Sequence, residues 1–222
     1  MVVDQIYTLI WSIWCRRNAW VFNSRLWTFE QTLKYAVSLR VAPVASPIAH
    51  AAAGPSRPRW LVPPPGVVKI NTDASFKPGS LVGFGMVARD EDGHILAAAS
   101  LLHGSLLCAS VAEAMALRWS IQMARDLGFM RIQVETDSLV VFNAWKRRSL
   151  QLSYVAYIVR DCLSLSSHFV SFALLHSPRP GNLVADFLAK LAPSVLDVVW
   201  IEEVPPGLLP ILADDVALNV HE

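Results

Sequence analysis

The order of strand-like and helix-like segments between residues 67 and 192 is the feature that most restricts how this chain can fold. Three strand patterns come first, and the turn sequence Glu91-Asp92-Gly93 joins the second to the third. Helical and strand patterns then alternate to residue 192. In chain order the segments are VVKINTDASF, LVGFGMVARD, HILAAASLL, VAEAMALRWSIQMARDLG, MRIQVET, DSLVVFNAWK, a helix over 153–166, HFVSFALLH and LVADFLAKLA. This order predicts an α/β fold, a mixed five-stranded sheet flanked by helices.

Composition separates three further parts of the chain from this domain at 67–192. Residues 1–41 are aromatic and basic, with apolar residues at helical spacing. Residues 42–66 hold seven of the fourteen prolines together with many Ala and Ser residues, and therefore predict a linker. Residues 193–222 carry six acidic residues and neither Lys nor Arg, and predict an acidic tail without regular structure.

Composition also argues against a membrane protein and against a disulfide-rich one. The most apolar run, residues 6–15, is shorter than the roughly 20 residues that a membrane helix needs. Its flanking charges have the reverse order of those in a signal peptide. The three cysteines are widely spaced and favour a reducing compartment, so we expect the nucleus or the cytosol. Separately, we expect a monomer.

Net charge leaves the class of partner open. It is +1 over the whole chain, whereas residues 1–192 carry 19 basic and 12 acidic side chains. This basic excess fits an ordinary solvated surface as well as it fits a nucleic-acid footprint.

Four acidic side chains lie inside the predicted elements or at their ends. Asp73 falls within the first strand among apolar residues, where an uncompensated carboxylate is costly. Glu113 is expected in the first turn of the long helix, Asp137 at the junction after the fourth strand, and Asp186 in a helix rich in Leu and Ala. Each alone also fits a helix cap, a helix-dipole partner or a solvated face. Together they are candidates for one site beside the first strand, in which a cation or hydrogen-bond donors would compensate Asp73.

Five segments resemble, in order, those of the ribonuclease H domain: KINTDASF, GFGMVARDEDG, AEAMALRWSIQMARDLG, VETDSLVV and HSPRPGNLVADFLAKLA. The resemblance covers roughly residues 60–192 and is greatest to the plant ribonuclease H-like proteins related to non-LTR retrotransposons. Residues 9–22, LIWSIWCRRNAWVF, also resemble the segment that precedes the domain in those proteins. Residues 1–41 are thus a candidate remnant of an upstream retrotransposon region, and the resemblance implies a ribonuclease H-like fold for 67–192.

The resemblance implies roles for individual residues. The metal-binding acids of the family fall on Asp73, Glu113, Asp137 and Asp186, which would hold two Mg²⁺ ions, with Mn²⁺ as a substitute. The mobile histidine of the family, in the loop before the last helix, falls on His176, for which a plain loop histidine is the alternative reading. The implied activity is Mg²⁺-dependent hydrolysis of the RNA strand of RNA–DNA hybrids by an endonuclease with a two-metal mechanism.

Three positions that normally contact the hybrid depart from the family pattern. Ala74 replaces a Gly, Ala109-Ser110 replace an Asn pair, and Leu139 replaces a Gln. A catalytically weak or inactive nucleic-acid-binding module derived from a retrotransposon is therefore the alternative function. Proofreading-type exonucleases rank lower, because they usually carry a second acid two residues after the first, where this chain has Ser75.

Overall fold

The computed structural model describes residues 16, 28–32, 60–76, 81–104, 108–148, 153–205 and 207–216. Most of the predicted N-terminal helical segment and of the predicted linker therefore lies outside the described residues. In the part of 1–41 that is described, residues 29–32 are helical. Thr28 begins this helix, since its backbone N–H donates to Gln31 Oε1 at 2.8 Å and its Oγ1 accepts from the Gln31 N–H at 3.2 Å.

The described strands and helices follow the predicted order. The strands are β1 (Val68–Ser75), β2 (Val82–Arg89), β3 (Ile95–His103), β4 (Arg131–Thr136), β5 (Ser171–His176) and β6 (Val198–Ile201). The helices are α1 (Ala109–Asp126), α2 (Leu139–Arg147), α3 (Tyr154–Ser166), α4 (Leu183–Val195) and α5 (Leu209–Val216), with a 3₁₀ turn at Arg179–Gly181. Among these helices, none is both long and apolar enough to cross a membrane.

The strands form one mixed sheet in the order β5-β4-β1-β2-β3-β6. β1, β2 and β3 are antiparallel neighbours, whereas β4 runs parallel to both β1 and β5. The predicted α/β fold with a mixed sheet is confirmed. The predicted number of five strands is wrong, because β6 pairs antiparallel with β3 as a sixth.

The C-terminal part of the chain belongs to the fold as far as it is described. β6 and α5 both fall within residues 193–222, which the sequence analysis took as an irregular acidic tail. Leu208 is buried against Val184 and Leu188 of α4 and against Trp200 of β6, so α5 begins on the apolar core. A strand of only four residues is too short to show an alternating pattern, and this is why the sequence did not reveal it.

The N-terminal boundary of the domain also differs from the predicted one. Residues 60–66 were assigned to the linker 42–66, but Trp60 is only 2% exposed. Its ring lies 3.7 Å from the guanidinium carbon of Arg89, which is itself buried, and Lys69 Nζ lies 5.5 Å from the same ring. The packed domain therefore includes Trp60, which lies within the predicted linker.

Helices cover both faces of the sheet. One apolar core joins the face that includes Ile70 and Met86 to residues of α1 and α3 such as Leu117 and Val159. The other face packs against α4, which approaches β2 very closely. A Cβ atom on Gly85 would overlap the backbone oxygen of Ala185. This contact between bare backbones fixes the distance of α4 from the sheet.

Candidate active site

Polar side chains lie on adjacent strands at the centre of the sheet. Asn71 of β1 is the parallel partner of Glu135 of β4, and its Nδ2 donates to Glu135 Oε2 at 3.0 Å. Asp73 lies two residues after Asn71, and Asp137 lies two residues after Glu135. Since side chains alternate along a strand and parallel strands end at the same edge, this register brings the two aspartates together.

Three of the predicted acids form one cluster. Asp73, Glu113 and Asp137 each offer a carboxylate oxygen, and these oxygens all lie within 4.8 Å of one another. Glu113 reaches the cluster from the second turn of α1, not the first, because α1 begins at Ala109. Asp137 lies outside α2, just before Ser138, which caps that helix by accepting from the Val141 N–H at 3.4 Å.

Asp186 lines the same cleft but is not a member of the three-acid cluster. It lies in the first turn of α4, and its Oδ2 accepts from Lys190 Nζ at 2.6 Å. The cleft has a volume of about 850 Å³, and its wall also includes Val140 and Leu183. The structure thus brings all four predicted acids to one cleft, and it brings carboxylate oxygens of three of them within 4.8 Å of one another.

His176 is the last residue of β5, directly before the loop that leads to α4, and the predicted strand HFVSFALLH ends at the same residue. Its Nε2 is 3.3 Å from the backbone oxygen of Asp137, and its ring packs at a centroid distance of 5.8 Å from Phe142. In this arrangement the half-buried imidazole supports the junction between β4 and α2.

Two basic residues of the cleft were not singled out in the sequence. Arg179, in the 3₁₀ turn, places Nε 3.4 Å from Asp137 Oδ2. Lys190 holds Asp186, and its spacing of four residues along α4 is the signal that could have revealed this pair. No comparable spacing relates Arg179 to Asp137, which lie in different elements.

The segment between β5 and α4 is tied to the central strands by hydrogen bonds. The Ser177 N–H donates to Thr136 O at 3.0 Å, and Asn182 Nδ2 donates to Thr72 O at 3.0 Å. Asn71 Nδ2 also approaches Gly181 O at 3.4 Å. These bonds hold the start of α4, and with it Asp186, beside the three-acid cluster.

Burial and mutual repulsion disfavour the charged forms of the carboxyl groups in this cluster. The pKa of Asp73 rises to about 9, first because burial removes water from the carboxylate and then because of the charges of Glu113, Asp137 and Asp186. The pKa of Glu113 rises to about 8, again mainly through burial and next through Asp137. A cation would relieve both effects. Mg²⁺ fits this donor set, since it is a hard ion that prefers carboxylate oxygens.

The sequence profile of the family described as reverse transcriptase-like matches residues 71–192, which contain the whole cleft. The chain belongs to this family. It is 29% identical over 159 residues to an Arabidopsis thaliana protein named for ribonuclease H. That match covers 70% of this chain and 25% of the relative, so the chain spans about a quarter of the relative's length.

Solved structures of ribonucleases H share the fold. RNase H1 of the archaeon Halobacterium salinarum is 25% identical with a TM-score of 0.54, and the match covers 58% of this chain and 98% of that one. The N-terminal RNase H domain of a Mycobacterium tuberculosis protein is 27% identical with a TM-score of 0.52, covering 58% and 94%. LC11-RNase H1 in complex with an RNA/DNA hybrid, at 24% identity and a TM-score of 0.50 over 55% and 94%, supports the fold alone. The predicted ribonuclease H domain is confirmed.

Proposed function

We propose that this chain is a divalent-metal-dependent endonuclease that hydrolyses the RNA strand of RNA–DNA hybrids. The observation that carries this proposal is the convergence of Asp73, Glu113 and Asp137 within 4.8 Å in the cleft of a ribonuclease H domain. The similarity to two ribonucleases H at 25% and 27% identity supports the same substrate class. The proposed compartment remains the nucleus or the cytosol, and the proposed oligomeric state is a monomer.

The residues of the cleft divide the work of such a reaction. Two bound Mg²⁺ ions, or Mn²⁺ in their place, would activate water and stabilise charge on the attacking and leaving oxygens. Asp73, Glu113 and Asp137 would bind these ions through carboxylate oxygens that are already gathered and partly dehydrated. Asp186 would complete the ligand set after leaving Lys190. His176 would move a proton at the cleft only after turning away from the Asp137 carbonyl.

A second candidate function is binding of hybrids without cleavage. Recognition of RNA depends on hydrogen bonds to the 2′-hydroxyl groups exposed in the minor groove. In this chain the wall of the cleft carries exposed apolar side chains instead, Val140 at 55% and Leu183 at 44% exposure. These apolar side chains offer no hydrogen bonds to 2′-hydroxyl groups, which favours a module that binds nucleic acid and positions the RNA strand poorly for cleavage.

Cleavage of a labelled hybrid by the full chain in the presence of Mg²⁺ distinguishes the two functions. We expect the wild type to cut the RNA strand and Asp73→Asn to abolish cutting. Asp161→Asn is the matched control, because this acid is exposed and pairs with Arg118 of α1 rather than lining the cleft. Cleavage by Asp73→Asn at the wild-type rate would contradict the proposal, and salt-sensitive binding without cutting would establish the second function.

A further inference from the structure

The two carboxylates that border the cleft each hold an exposed cation. Arg179 Nε lies 3.4 Å from Asp137 Oδ2, and the Arg179 side chain is 90% exposed. Lys190 Nζ lies 2.6 Å from Asp186 Oδ2, and the Lys190 side chain is 61% exposed. All four residues line the same cleft. The cleft thus carries two long basic side chains whose partners are the acids assigned to the metal.

The acids of the cleft differ in their partners, because Asp137 and Asp186 each pair with a basic side chain. Within the residues that the structure describes, neither Asp73 nor Glu113 forms a salt bridge. Because Arg179 and Lys190 are mainly in water, neither cation becomes a buried charge when its pair breaks. The Asp137 side chain is only 14% exposed, so it needs another cation in place of Arg179, which the metal would supply. A divalent cation competes for the same carboxylate oxygens with twice the charge, and it also repels both basic groups.

We propose that Arg179 and Lys190 exchange partners when the site is loaded. Without metal they neutralise Asp137 and Asp186, and when a divalent cation takes these carboxylates they turn to the backbone phosphates of the nucleic acid in the cleft. The phosphate role rests on the proposed function. A guanidinium group suits phosphate oxygens through its fork of N–H donors, and an ammonium group suits them as a mobile point charge.

This exchange predicts opposite effects of one substitution on two ligands. Removing either cation frees a carboxylate for metal, so Mg²⁺ should bind about two- to fivefold more tightly, since both cations lie mainly in water and couple weakly to their carboxylates. The same substitution removes a phosphate contact, so hybrid binding should weaken and its slope against log salt should fall by about one. A residue with a merely structural role would not move the two affinities in opposite directions.

The test uses the full chain with Arg179→Gln and Lys190→Gln. Arg118→Gln is the matched control, since Arg118 Nη1 pairs with Asp161 Oδ2 at 3.0 Å and does not line the cleft. Isothermal titration with Mg²⁺ in the absence of nucleic acid measures the metal affinity. Fluorescence anisotropy of a labelled hybrid with Ca²⁺, between about 50 and 200 mM salt, measures the slope. Arg179→Lys, which keeps the charge, should keep most of the slope.

The outcomes separate this inference from the proposed function. Tighter Mg²⁺ binding and a reduced slope in both variants, with neither change in Arg118→Gln, support the exchange. If the wild type cuts hybrids and the variants keep its Mg²⁺ affinity and its slope, the exchange is overturned and the nuclease stands. If the wild type neither binds nor cuts hybrids, the proposed function and the phosphate role are both overturned. Thermal melts verify that each variant is folded.

Discussion

Asp73 and Glu113 hold carboxylate oxygens within 4.8 Å of each other, and neither has a salt bridge within the described residues. Burial and repulsion raise the pKa of Asp73 to about 9 and that of Glu113 to about 8. The folded chain without metal therefore keeps protons that the unfolded chain releases near pH 4. This proton retention links the geometry of the cleft to measurable stability.

The first prediction is that metal-free stability falls as pH rises. Below about pH 4 both carboxyl groups are protonated in the folded and unfolded states, and their stabilising contribution is fully present. Between about pH 4 and the raised pKa values of about 8 and 9, only the folded state binds these protons, so this contribution is lost progressively. Melts in a chelating buffer should show a lower Tm at pH 9 than at pH 5.

Two variants check the source of this pH dependence. Asp73→Asn removes one buried titrating group and, with it, the burial cost and the repulsion from Glu113, Asp137 and Asp186 that act on the Asp73 carboxylate, so its Tm should vary less between pH 5 and 9 and exceed that of the wild type at pH 9. Asp161→Asn, on the exposed side of α3, should keep the wild-type profile. If the wild-type Tm does not change between pH 5 and pH 9, the raised pKa values of Asp73 and Glu113 are disproved.

The second prediction ranks the acids by their share in metal binding. Mg²⁺ at about 100 times its Kd should stabilise the folded chain by about 2.7 kcal/mol, a rise in Tm of about 5–10 °C. Asp137→Asn should remove most of this rise, because Asp137 belongs to the three-acid cluster. Asp186→Asn should remove less of it, because Asp186 lies outside that cluster and is held by Lys190. The reverse ranking in thermal melts would place Asp186 at the centre of the site.

The third prediction concerns the buried ion pair behind the cleft. Lys69 Nζ lies 2.6 Å from Glu135 Oε1, and the two side chains are 3% and 9% exposed. Lys69→Met leaves the buried Glu135 carboxylate without its cation and should reduce the free energy of unfolding by about 3–5 kcal/mol. The double variant Lys69→Met/Glu135→Leu removes both charges and should recover most of that loss. Urea unfolding measures both.

An exposed ion pair provides the comparison for this buried one. Arg118→Met breaks the pair between Arg118, whose side chain is 32% exposed, and Asp161, whose side chain is 59% exposed. This change should alter the free energy of unfolding by about 1 kcal/mol or less. Equal losses in Lys69→Met and Arg118→Met would show that burial of the Lys69 pair carries no special energetic weight.

The fourth prediction tests the close approach of α4 to the sheet. Gly85→Ala places a Cβ atom against the backbone of Ala185 and Ala189, which cannot move aside as a flexible side chain can. We expect a loss of at least about 1–3 kcal/mol and a smaller Mg²⁺-induced rise in Tm, since α4 carries Asp186. Gly104→Ala is the control, because a Cβ there meets no atom of the described residues within 4 Å and the change should be nearly neutral. Gly85→Ala with wild-type stability would mean that α4 shifts freely.

The sequence predicted those parts of the fold whose signals extend over many residues. Strands β1 to β5 and helices α1 to α4 show clear periods, and the turn at 91–93 has Gly93 at a φ of +83°, where a glycine is favoured. β6 was missed because its four residues are too few for a period. The anchoring of Trp60 was missed because a proline-rich composition says nothing about where one aromatic side chain packs.

The sequence predicted the membership of the cleft better than its internal arrangement. The four acids lie inside strands and helices or at their ends, and their residue types and order sufficed to group them. The share of each acid in metal binding depends instead on side-chain conformations. Lys190 holds Asp186, Arg179 approaches Asp137, and His176 turns toward a backbone oxygen. Such contacts follow from packing in three dimensions and leave no periodic trace in the chain.

The four acids come from β1, α1, the end of β4 and α4, so the cleft exists only after strands distant in sequence have paired around α1. A chain that has closed only the β1–β2–β3 meander supplies one of these four acids, Asp73, to the cleft. Metal should therefore leave the rate of refolding near its metal-free value and act mainly by slowing unfolding. We therefore expect the long-range pairing of β1 with β4 to limit the rate of folding, and the occupancy of the cleft to determine how long the folded domain resists a protease.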